Sequence, residues 1–172
     1  GDHVANDLAY GLKISMSRAE QLKLDHGSAV VDASIRGQTI PLSADPGLPE
    51  RSVNLEHLRR IMSLRVEEIF EIIAGEVERA GLSEYLRAGV FLCGGGARIP
   101  DIQRLGERVF GMPVSLGRTK TIGSLVSTLD QPEFSTPIGA VRFGSFNSGR
   151  PVDDGPWFHR LRNAVTQLLQ RP

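Results

Sequence analysis

The residues best placed to do chemistry surround three consecutive glycines, Gly94-Gly95-Gly96. They follow an apolar run from Ala88 to Cys93 and precede residues at helical spacing, Ile99, Ile102, Leu105, Val109 and Phe110, closed by Gly111. Without Cβ atoms, backbone there can approach another backbone or a ligand closely. At the mouth of a helix such a loop presents N–H groups and the positive end of the dipole, which suits an anion or a nucleotide. Glycines also serve tight packing, so spacing alone leaves both uses open. Cys93 is the one cysteine of the chain. With no histidine partner indicated nearby, it is expected to be a packed small apolar residue and not a nucleophile. A single cysteine forms no internal disulfide, which suits a reducing compartment.

A second chemistry-bearing segment closes the chain. Trp157, Phe158, Leu161, Val165, Leu168 and Leu169 fall on one helical stripe, and Arg160, Arg162 and Arg171 are the only formal charges from residue 156 onward. Pro156 suits the first helical position, with Asp154 or Gly155 as cap. An aromatic start, basic flanks and an apolar stripe are what a helix lying in a membrane surface requires. A terminal helix docked on its own domain is the other use of such a stripe. Each basic residue near an anionic surface contributes about 1 kcal/mol, from which the ordering of the helix must be subtracted. One tail therefore binds reversibly, and several tails on one polymer bind well through avidity. Residues 147–155, with glycines, a proline and charges, read as a linker before it.

The elements that must position these residues follow from hydrophobic period and caps. Asn6 to Tyr10 predicts a short helix ended by Gly11, and Ser17 with Glu20 three residues on has the spacing of a capping box for a second helix closed by Gly27. Ala29-Val30-Val31 and Thr39 to Leu42 flank Arg36-Gly37 and predict a small hairpin. The strongest helical signal runs from the N-cap Asn54 to Gly81, with Leu55, Leu58, Ile61, Met62, Val66, Ile69, Ile73 and Val77 on one face. Its other face, carrying Arg65, Glu67, Glu68 and Glu71 among others, reads as a solvated surface. Residues 88–116 predict a buried strand, a glycine loop, a helix and a strand at Val114–Leu116, the unit of an α/β layer. Ser135 to Phe143 predicts a helix packed closely at Gly139 and Ala140.

Composition limits the function classes. Of the 172 residues, 40% are hydrophobic and 23% charged, a globular balance, and twenty basic side chains cancel twenty acidic ones. A nucleic-acid binder that neutralises phosphates carries a basic excess, so no nucleic-acid partner is expected. No apolar stretch is long enough to span a bilayer, and no secretory signal opens the chain.

The segment Gly89-Val90-Phe91-Leu92-Cys93-Gly94-Gly95-Gly96-Ala97-Arg98-Ile99-Pro100 resembles the adenosine motif of the actin and heat-shock ATPase superfamily. More narrowly it resembles the bacterial cell-division FtsA family. Residues 1–12, Ala19 to Lys23 with His26-Gly27, Arg65 to Ile69 and Thr136 to Gly139 are similar to that family in the same order. The resemblance implies an α/β, actin-like (ribonuclease H-like) ATPase fold, of which only the C-terminal subdomains are expected here. Residues 1–16 would belong to the second actin-like lobe. Residues 17–82 would form the nucleoside-side and FtsZ-binding subdomain, and 83–146 the C-terminal α/β part of the lobe. It also implies an adenosine site made by Glu20 on the ribose, Lys23 covering the adenine, Gly94, Gly95 and Gly96 approaching the nucleotide, and Arg98 stacking on the base. ATP and Mg2+ are the cofactors expected of the full-length protein. The two phosphate loops of the family have no counterpart in this sequence, so weak ATP binding and little or no hydrolysis are expected of it.

The same resemblance places the C-terminal tail of the tubulin-like FtsZ on Arg65, with Glu68 receiving a basic residue of that tail. The plain alternative is that Arg65 and Glu68 pair across one turn. It further implies actin-like filaments tethered at the cytoplasmic face of the inner membrane, at the division site. An actin-like pilus-assembly protein and the C-terminal half of a sugar or acid kinase of the same superfold are the alternatives.

Overall fold

A 25-residue helix, α3 (Leu55–Arg79), forms because apolar residues recur on one of its faces and both its ends are capped. The Asn54 side chain accepts from the His57 N–H, and Gly81 takes up a left-handed φ of 66° just past the end. Its buried face, Leu58, Met62, Val66 and Phe70, meets every other large element of the core. The computed structural model describes residues 1–42, 51–118 and 130–147. Contacts divide the chain into Gly1–Ser135 and Thr136–Pro172.

In the first unit, α1 (Asp2–Leu12) contributes Val4, Leu8 and Leu12, and α2 (Met16–His26) contributes Ala19 and Leu22 to the α3 core. The first helix is longer than the sequence predicts at both ends. It passes through Gly11 and stops at Lys13, whose φ is 52°. Gly11 is a packing residue, because a Cβ there would stand 2.7 Å from Ile61 Cδ1 of α3. The N-cap of α2 is Ser15, which accepts from the Arg18 N–H, so the predicted Ser17–Glu20 capping box does not form. Gly27 closes α2 as expected.

Strand β1 (Thr39–Leu42) pairs antiparallel with β2 (Arg51–Asn54), Ile40 opposite Val53, and β2 runs directly into α3. The predicted hairpin thus has the wrong partner. Residues 29–31 form no strand; instead the buried Ala29 donates its N–H to the Pro100 carbonyl at 2.9 Å.

The strand–loop–helix–strand unit is present. Strand β3 (Val90–Leu92) lies parallel to β4 (Val114–Leu116), in register Val90 to Val114, with α4 (Ile102–Phe110) between them in sequence. Ile102 and Leu105 enter the common core, and the Phe70 and Phe110 rings stand 5.1 Å apart. Contrary to the buried strand expected, Phe91 is 60% exposed. In the second unit α5 (Ser135–Asn147) extends past the predicted end at Phe143 and through the first residue of the predicted linker. The rest of the linker and the C-terminal segment 156–172 lie outside the described residues.

Two glycines should respond oppositely to alanine. A Cβ at Gly27 would stand 2.3 Å from the Lys23 carbonyl oxygen and 2.6 Å from Met62 Cε, whereas one at Gly75, inside α3, meets nothing within 4 Å. Urea unfolding should show Gly27→Ala losing about 1–3 kcal/mol. Gly75→Ala should gain about 0.5–1 kcal/mol from helix propensity. Equal effects at the two positions would contradict this packing.

Candidate functional site

The three glycines end β3 and turn into a short 3-10 segment, Gly95–Arg98. Gly94 has φ 88°, a conformation that favours glycine, and its N–H donates to the Pro132 carbonyl at 2.7 Å. No described atom lies within 4 Å of a Cβ built on any of the three. The backbone therefore offers an open strip where a planar group can lie against it. Ala97 anchors the strip from beneath and is buried. Cys93, just before it, is exposed and not buried as expected, with its thiol beside Gly117.

Arg98 projects from this strip, more than half exposed, and its Nη1 donates to Glu133 Oε1 at 2.5 Å. Glu133, on the short 3-10 turn Pro132–Phe134, gave no signal in sequence because it lies 35 positions away. Its own backbone N–H, then the Arg98 guanidinium, hold its carboxyl below the ordinary value against an opposing push from burial. Two hydrogen bonds to the same turn, from Gly94 and from Arg98, thus fix the shape of the glycine loop.

Glu20 and Lys23 come together on one face of α2. Lys23 Nζ donates to Glu20 Oε2 at 2.5 Å and to the Gly1 carbonyl at 3.4 Å. The Lys23 side chain is 9% exposed and that of Glu20 45%. No hydrogen bond or ion pair among the described residues joins this pair directly to Gly94–Arg98. The two groups are linked through the chain that follows α2. Buried Ser28 donates from Oγ to Asp101 Oδ2 at 2.9 Å and accepts from the Val30 N–H, beside the Ala29–Pro100 bond. Asp101 adopts φ 60° at the head of α4, a strained backbone for a non-glycine residue. An open backbone strip, a positioned guanidinium and an acid–base pair are groups that can take up a planar, polar ligand. Among the described residues no group of three or more His, Cys, Asp or Glu assembles that could hold a metal ion.

Arg65 sits on α3 but is not an unoccupied guanidinium. It forks onto Asp7 of α1, Nε to Oδ2 and Nη2 to Oδ1, and gives Nη1 to Glu68 Oε2 at 2.7 Å. The pairing of Arg65 with Glu68 across one turn is therefore present, and the Asp7 fork is added to it. Asp7 was invisible as a partner because 58 positions separate it from Arg65. The hydrogen bonds that Arg65 donates to Asp7, with the Asp7 and Glu68 charges, raise the guanidinium pKa against the push of burial. The apolar stripe Trp157 to Leu169 and its arginines lie outside the described residues.

Three comparisons bear on what this arrangement belongs to. The family model for cell division protein FtsA matches residues 1–139. The chain is 29% identical over 144 residues to the cell division protein FtsA of Pseudomonas aeruginosa, covering 84% of this chain and 34% of that protein. It is 32% identical over 142 residues to the one of Neisseria meningitidis, covering 82% and 34%. With the Escherichia coli protein the identity is 26% over 179 residues, covering 95% of this chain and 43% of that protein. The chain thus spans well under half the length of these relatives. Among solved structures it is similar to MreB5 of Spiroplasma citri bound to ADP, with a TM-score of 0.58 and 21% identity, over 86% of this chain and 46% of that one. The same protein bound to AMPPNP gives the same score, over 45% of that chain. The fold is accordingly actin-like and partial.

The Arg98–Glu133 pair yields a pH test. With its folded pKa below the ordinary value, ionised Glu133 favours the folded state above about pH 4.3. That contribution is lost as pH falls through the lowered folded value. Thermal unfolding followed down the acid limb should fall less steeply for Glu133→Gln than for the unmodified chain. Identical acid limbs would contradict the pairing.

Proposed function

Because the chain belongs to the FtsA family of cell division proteins, we propose that it is part of an actin-like adaptor that tethers FtsZ filaments to the cytoplasmic membrane and helps assemble the division ring. The observation that carries this reading is the family match running unbroken through α1, the Arg65 helix and the glycine loop. The pilus-assembly and kinase alternatives are set aside for the same reason.

Three surfaces share the work in this reading. The α1–α3 surface with Arg65 and Glu68 takes the acidic C-terminal tail of FtsZ, since a guanidinium can fork onto a carboxylate. The open strip Gly94–Gly96, Arg98, Glu20 and Lys23 hold the nucleoside of ATP. Arg98 covers one face of the base, and Glu20 accepts from ribose hydroxyls. Mg2+ and the phosphates supply the charge-bearing end of the ligand, whose loops these residues do not form. The C-terminal stripe lies in the membrane surface. The alignment with the Escherichia coli protein covers 95% of this chain, so it extends into residues 156–172, which are about a tenth of the chain. Self-association into actin-like filaments then multiplies weak tails into firm attachment, at the inner face of the membrane.

Co-sedimentation with vesicles containing anionic lipid tests the membrane part. The intact chain, held at high density on a scaffold, should pellet with the vesicles and be released by salt. The chain ending at Gly149 should stay in the supernatant. Equal pelleting of both, or of neither, would overturn the membrane role.

A further inference from the structure

Arg65 is the group through which the proposed adaptor would hold an acidic tail, yet its donors are already engaged within the fold. A guanidinium has five N–H groups in a rigid fork. Asp7 takes one forked edge, Nε with Nη2, and Glu68 takes a bond from Nη1. One positive charge is thus flanked by two negative ones. The side chains of Arg65 and Asp7 are 32% and 29% exposed, and that of Glu68 is 55% exposed. An incoming carboxylate can reach this cluster, but it meets a local excess of negative charge and an occupied fork.

We propose that Asp7 is an internal competitor for the Arg65 fork, so that an acidic partner segment binds only by displacing it. The inference rests on the reading of Arg65 as the partner site and adds the residue that sets the affinity there. The geometry favours exchange over permanent closure. The pair is about one-third exposed, near enough to water that an ion pair contributes modestly and a second carboxylate can replace the first at small net change. Asp7 lies on α1, whose N-terminal cap makes no side-chain hydrogen bond, while Arg65 is held on the middle of α3. Glu68 tunes the same charge from the exposed side, and its release should act in the same direction.

Fluorescence anisotropy of a labelled FtsZ C-terminal tail peptide, titrated with the full chain, tests this. Asp7→Asn keeps shape and removes the competing charge, and it should bind the peptide about two- to fivefold tighter, the range spanned by one partly exposed ion pair. Glu68→Gln, at an exposed position, should show a smaller gain and carries the test where Asp7→Asn does not fold. Adding Arg65→Gln to either should abolish the gain. Glu71→Gln removes a nearby charge outside the cluster and should leave affinity unchanged. Unchanged or weaker binding by both Asp7→Asn and Glu68→Gln, with the unmodified chain binding well, overturns the competitor role alone. A gain of equal size in Glu71→Gln overturns it too, since a general field effect would then suffice. No binding by any variant overturns this proposal together with the partner reading of Arg65.

Discussion

Everything described in the first unit depends on one buried stripe along α3. A helix of 25 residues is about 37 Å long at 1.5 Å per residue, and its apolar face is too long for any one neighbour to cover. Leu58 and Met62 are fully buried, Met62 stands beside Gly27 at the end of α2, and Phe70 meets Gly106 and Phe110 of α4. Truncating one fully buried leucine or methionine of this kind costs about 2–5 kcal/mol, a large share of the stability of a domain. The sites inherit their geometry from that stripe, since α1 carries Asp7, α2 carries Glu20 and Lys23, and α4 fixes the far end of the glycine loop.

Polar links then refine what packing sets. Arginines of α3 and β2 reach across to the ends of other helices. Arg59 Nε donates to the His26 carbonyl at the end of α2, and the Arg51 guanidinium donates to the carbonyls of Leu12 and Lys13 at the end of α1. The Ser28–Asp101 bond joins the same helical layer to the head of α4. Such bonds to backbone carbonyls fix orientation, whereas the Arg65 and Arg98 pairs join two side chains that stand partly in water. Those are the places where a ligand or partner can exchange with an internal group at low cost. Structural commitment and accessibility thus divide the arginines of this surface into two kinds.

Much of this was legible in sequence where a signal was long or doubled. The α3 boundaries follow from eight apolar positions and two caps, and the strand–glycine loop–helix–strand unit from an apolar run ending at Gly94. Single-residue signals failed where two physical roles compete. Gly11 has the local signal of a helix stop because glycine ends helices, yet α1 runs through it and the Ile61 side chain of α3 packs close to it. Ser17 with Glu20 matched a capping box, yet Ser15 lies two residues earlier and takes the cap. Local pattern favours the nearest apolar run as the partner of β1, whereas Ala29 bonds to Pro100 and β1 pairs with β2. At the sites the residue types were visible and their engagement was not. Asp7 for Arg65 and Glu133 for Arg98 lie far off in sequence, and no local pattern predicts which carboxylate a guanidinium will find.

In the proposed function the chain is a bridge, with a tail-binding face and a membrane-binding end on one molecule. The most direct measurement is recruitment: a labelled FtsZ tail peptide mixed with anionic vesicles, with and without the chain displayed on a multivalent scaffold. The account predicts that label pellets with vesicles only when the scaffolded chain is present. It also predicts that excess unlabelled peptide releases the label and leaves the chain bound to the vesicles. Label that stays in solution while the chain pellets would contradict the bridge.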